Sequence, residues 1–89
     1  MIIKLNDNDL RGDYSDIHDC PVARSAKRYF PGRFINVSGL SITIGDSYYR
    51  ICLPGLDVDN GVDSADIERM RSGHILPEVE IVGRSKNDS

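Results

Sequence analysis

Tryptophan is absent from the 89-residue chain, and cysteine and histidine occur twice each. Two cysteines far apart do not make a disulfide framework, so Cys20 and Cys52 are expected as free thiols in a reducing compartment. No apolar run approaches the length of a membrane-spanning helix, and no membrane contact is expected. The first residues, MIIKLNDNDL, are too short and too acidic for a signal peptide, which points to the cytoplasm, or a host cytoplasm for a viral gene. Internal repeats, low-complexity tracts and a glycine-rich phosphate loop are also missing, which removes solenoid and nucleotide-cradle readings.

Hydrophobic residues make up 39% of the chain, enough for one modest core. A domain of this size buries about 60–65% of the surface its unfolded chain exposes, which leaves little room for a deep internal site. The expected division is one domain over residues 1–83 and a disordered tail over 84–89.

The net charge of -3 is unevenly spread. Residues 7–19 carry five Asp against one Arg, and residues 57–68 carry five acids and no base. Between them, residues 24–50 hold Arg24, Lys27, Arg28, Arg33 and Arg50 against Asp46 alone. Polarisation of this kind suits an oriented contact with a protein.

The hydrophobic pattern predicts an α+β fold. MIIKL reads as a strand, and residues 6–17 as a loop that could hold Tyr14 and Ile17 against the core. A helix follows in DCPVARSAKRYFPG, with Asp19 as N-cap and Pro21 in the first turn. Val22, Ala23, Ala26, Tyr29 and Phe30 share a stripe of roughly 120° on it. RFINV, LSITI and YYRICL then alternate as a strand meander, with Ser38-Gly39 and GDS as turns. DSADIERMRSG is a second helix, capped by Asp63 with Asp66 as capping-box partner, and only Ile67 and Met70 face inward. HILPEVEIVGR is a final strand, placed on a sheet edge because of Pro77, Glu78 and Glu80. The order is β-α-β-β-β-α-β: a three- to five-stranded antiparallel or mixed sheet with two short helices on one face.

DVDNGVDSADIE, residues 57–68, has the outline of a calcium loop. Asp57, Asp59, Asp63 and Glu68 occupy positions 1, 3, 7 and 12. Position 5 is Gly61 and position 6 is Val62, so the glycine comes one place early and a ligand position is empty. Asn60-Gly61 as a left-handed turn and Asp63 as a cap account for the stretch without metal. His18, Cys20, Cys52 and His74 form a poor zinc set, because only one residue separates the first pair. Cys20 at a helix start lacks an orienting third group and an oxyanion motif. No metal, cofactor or catalytic residue is expected.

Residues 19–32, DCPVARSAKRYFPG, followed by INVSGLSITIGDSYYRI at 35–51, resemble small accessory proteins encoded by bacteriophages and mobile elements. That resemblance implies an inhibitor of a host defence or nucleic-acid-handling system, and it brings no catalytic motif.

The leading expectation is a non-enzymatic protein-binding module, monomer or homodimer, whose acidic residues meet a basic partner surface. Asp57, Asp59, Asp63 and Glu68 are the first candidates, Asp13 and Asp16 the second. Tyr48 and Tyr49 are possible aromatic anchors, of which only one can leave the core. The alternatives are nucleic-acid binding through Arg24, Lys27, Arg28, Arg33 and Arg50, and a subunit of a viral particle.

Overall fold

The computed structural model describes residues 1–56 and 60–83. Its backbone forms β1 (Ile2–Lys4), α1 (Asp7–Leu10), α2 (Pro21–Tyr29), β2 (Ile35–Val37), β3 (Ser41–Ile44), β4 (Ser47–Cys52), α3 (Ser64–Arg71) and β5 (Glu78–Gly83). The five strands make one antiparallel sheet in the order β1-β5-β4-β3-β2. The α+β class and the strand meander are as the sequence predicts. The segment expected as a loop, residues 6–17, contains the additional helix α1. Asn6 caps it, with Asp9 completing a reciprocal capping box.

Alternation sends Ile3, Ile35, Val37, Ile42, Ile44, Ile51, Val79 and Ile81 to one face, where they are buried. Val22, Ala23 and Ala26 of α2 pack on that face, joined by Ile67 and Met70 of α3. Each large aliphatic side chain buried this way contributes about 1.5–3 kcal/mol before the cost of ordering it.

Helix α2 and the residues before it, Ile17 and His18, tie down both sheet edges. On the β2 side, Val37 N–H donates to Ile17 O at 2.9 Å, and His18 Nδ1 lies 3.0 Å from Ile35 O. On the β1 side, Lys4 N–H donates to the Tyr29 hydroxyl at 3.0 Å and Arg28 donates to Lys4 O at 2.8 Å. Outer-strand groups that would otherwise invite another chain are thus occupied.

Three local expectations are corrected. Strand β5 lies between β1 and β4 and not at an edge; Pro77 precedes it and loses nothing, since its carbonyl accepts from Leu5 N–H at 2.8 Å. The cap of α2 is Cys20, whose sulfur accepts from Ala23 N–H at 3.4 Å, while Asp19 turns to Arg24. Leu40 is exposed, outside the inward face that Ile42 and Ile44 share. Residues 84–89, expected as a disordered tail, lie outside the described residues, as do Asp57 and Asp59.

Candidate functional site

Two glycines let the two acidic runs approach the same end of the core. At Gly12 a Cβ would sit 2.5 Å from Asp19 O and 2.8 Å from the Cys20 carbonyl carbon, so only glycine lets this turn lie against the start of α2. Gly61 has φ +63° and carries the chain across the β2–β3 turn, where Val62 N–H donates to Gly39 O at 2.8 Å. A Cβ there would run into Gly39 O and lie 2.7 Å from Leu40 Cδ2.

Between these close approaches, each carboxylate organises its own backbone. Asp13 accepts from the Ser15 amide at 3.0 Å and the Ser15 hydroxyl at 2.8 Å, and those bonds hold its carboxyl below the usual range. Asp16 accepts from His18 N–H at 2.9 Å. Asp63 caps α3 through Asp66 N–H at 2.9 Å, while Asp66 accepts from Asp63 N–H and pairs with Arg69. Arg71 then links the two acidic segments: it donates to Leu10 O at 2.7 Å and to Gly12 O at 2.9 Å, and pairs with Glu68 at 3.0 Å.

Tyr14 crosses from one segment to the other, its hydroxyl donating to Val62 O at 3.3 Å. Its phenol is pushed up, first by burial and then by the charges of Asp63, Cys20 and Asp66. Beneath it lies a cavity of about 240 Å³ walled by Ile17, Val22, Val37, Ile51, Val62 and Ile67. Cys20 also borders this cavity. Burial raises its thiol, Asp16 adds to the rise, and amides at the start of α2 oppose it, so the thiol stays protonated at neutral pH.

Asp13, Asp16 and Asp63 thus flank, along the chain, the lining residues Tyr14, Ser15, Ile17 and Val62; the charge of Asp63 reaches Tyr14 and that of Asp16 reaches Cys20, while Glu68 lies further along α3 as an exposed carboxylate paired to Arg71. Asp57 and Asp59 lie outside the described residues. Tyr49 packs on the core, and Tyr48 is 51% exposed on the opposite sheet face. Neither tyrosine lines the cavity. Tyr14, Ile17, Val37, Val62 and Ile67 were not singled out as site residues by the sequence, because the cavity draws its walls from separate segments that no local pattern connects.

The five cations of the basic segment do not form one surface. Arg24 pairs with Asp19 at 3.1 Å and donates to Asn8 O at 2.9 Å. Lys27 donates to His18 O at 2.5 Å. Arg28 pairs with buried Asp9 at 2.5 Å. Arg33 lies beside Gly45 at the β3–β4 turn, and Arg50 belongs to the outward sheet face. Among the described residues, no three His, Cys, Asp or Glu side chains gather as a metal-ligand set, and no helix is long and apolar enough to cross a membrane. No protein-family model matches the chain, and neither a curated protein nor a solved structure matches it significantly.

Proposed function

We propose that the chain is a small non-enzymatic protein-binding module that docks a basic surface of a partner through the face built by segments 13–16 and 62–68. The observation that carries this reading is the convergence of two acidic runs, distant in sequence, around Tyr14 and one apolar cavity. An apolar centre with a charged rim is the anatomy of a protein contact, in which burial supplies affinity and charge supplies steering. Asp57 and Asp59 belong to the same proposal through their place in the sequence, next to this face. The resemblance of residues 19–32 and 35–51 to phage accessory proteins makes inhibition of a host protein, in the cytoplasm, the form this contact would take. Direct nucleic-acid binding through α2 is disfavoured by the carboxylates and carbonyls that already engage Arg24, Lys27 and Arg28.

Neutralisation tests this without disturbing the local fold. In Asp13→Asn/Asp16→Asn/Asp63→Asn/Glu68→Gln, each Asn keeps an oxygen for its turn or cap while the charge is removed. Wild-type and neutralised proteins serve as paired baits for affinity capture with quantitative mass spectrometry. Basic proteins retained by the wild type alone, and released by salt, are the expected result. Identical retention by both baits contradicts the proposal.

A further inference from the structure

The cavity under Tyr14 has chemistry that restricts what it can receive. Four polar side chains border it, and all four are already engaged within the protein. The Tyr14 hydroxyl donates to Val62 O, and the Ser15 hydroxyl donates to Asp13. The Cys20 sulfur accepts from Ala23 N–H, and the Ser38 hydroxyl lies 2.9 Å from the Ser41 hydroxyl. The rest of the wall is aliphatic. A polar guest would therefore lose hydrogen bonds to water without replacing them. A volume of about 240 Å³ falls below the roughly 300–1,000 Å³ of sites that enclose a whole small molecule. It suits one large apolar side chain.

The mouth adds the second restriction. Tyr14 and Ile17 are 38% and 45% exposed there, so apolar surface reaches the opening. Asp13, Asp16 and Asp63, next in sequence to the lining residues Tyr14, Ser15, Ile17 and Val62, are exposed acids, and the Ser15 bonds hold the Asp13 carboxyl below the usual range. An apolar side chain that enters brings its own neighbours against these carboxylates, and basic neighbours gain where acidic ones are repelled.

We propose that this cavity is the anchor pocket of the binding face, and that its occupant is a single Phe- or Leu-sized side chain from a partner segment with Lys or Arg on both sides of it. This rests on the proposed acidic docking face and adds what the partner places at its centre. Interfaces concentrate their affinity in such anchors, seated in water-excluding pockets, while the charged rim mainly sets encounter and register.

The test uses two synthetic pentapeptides, KRFKR and KRAKR with blocked ends, titrated into 15N-labelled protein at low salt. KRFKR is expected to shift the amide resonances of Tyr14, Val62 and Ile67 and to bind about tenfold more tightly than KRAKR, the difference being the burial of one aromatic side chain. Ser15→Trp places a bulky group at an exposed position on the mouth. It is expected to abolish the preference for KRFKR over KRAKR. Equal binding of the two peptides, lost in the neutralised quadruple variant, overturns the anchor pocket and leaves the acidic face standing. Binding that survives neutralisation, or no shift with either peptide, overturns both.

Discussion

Replacing Arg28 with methionine measures how firmly the helix cations are held. Asp9 has a side chain only 2% exposed, whereas that of Arg28 is 44% exposed. The carboxylate receives Arg28 Nε at 3.1 and 3.2 Å, Arg28 Nη2 at 2.5 Å and the Asn6 amide at 3.0 Å. Arg28→Met keeps most of the apolar stem but leaves Asp9 buried with the Asn6 amide as its remaining donor. Breaking a fully buried pair from one side costs about 3–5 kcal/mol. Water can approach from the half-exposed guanidinium side, which lowers the expected cost here to about 2–3 kcal/mol. That is a large share of the stability of a small domain, and corresponds to a fall in Tm of roughly 10–20 °C. Asp9→Asn is milder, about 1 kcal/mol, because the amide oxygen still accepts and Arg28 keeps Lys4 O and solvent. The double variant buries no orphan charge, so it should be more stable than the sum of the single losses by about 1 kcal/mol or more. Urea denaturation followed by circular dichroism gives all four free energies. An Arg28→Met loss below about 0.5 kcal/mol, or strict additivity in the double variant, refutes the reasoning. The result also bears on function, since a cation that neutralises a buried carboxylate is not available to a phosphate backbone.

Two further predictions concern Gly61 and Cys20. Gly61→Ala combines a positive φ with a Cβ driven into Gly39 O and Leu40, and should cost about 2–3 kcal/mol in urea denaturation; Gly39→Ala, whose Cβ would meet Val62 O at a comfortable 3.7 Å, should stay within about 0.5 kcal/mol. The Cys20 thiol is raised above its ordinary 9.0 on folding. Its contribution is fully present below the unfolded value and is lost as pH rises through the folded one. Stability should therefore decline above about pH 9, and Cys20→Ala should flatten that part of the profile, leaving the later decline from Tyr14, whose ordinary value is 10.0. An unchanged alkaline slope in Cys20→Ala removes the thiol from this account.

Elements built from local pattern were legible in the sequence. The alternation of Ile42 and Ile44, and of Tyr49 and Ile51, gave the meander; Asp63 with Asp66 gave the start of α3. Helix α1 escaped because it is four residues long and its capping box uses Asp9 where Glu or Gln is the usual signal. The place of β5 escaped because Pro77 and two glutamates argue for an edge, while sheet order is settled by the long-range pairing of β1 with β5. The acidic residues were legible as candidates, yet their meeting was not. It depends on Tyr14 and Arg71, which join segments 48 to 61 residues apart through bonds to backbone oxygens, and on the close backbone approaches at Gly12 and Gly61. Nothing in a local window marks such a contact, although a glycine placed inside each acidic run is a trace of it.

In the proposed mode of binding, the acidic face around Tyr14, and not the basic side of α2, makes the contact. This mode is tested most directly by calorimetric titration of a partner isolated through the paired baits, at two salt concentrations. The wild type is compared with the neutralised quadruple variant and with Lys27→Glu, which alters an exposed cation of α2. Neutralisation is expected to weaken binding by about tenfold or more and to flatten its salt dependence, while Lys27→Glu leaves both within about twofold. Loss of affinity in Lys27→Glu, with the neutralised variant unaffected, would contradict it.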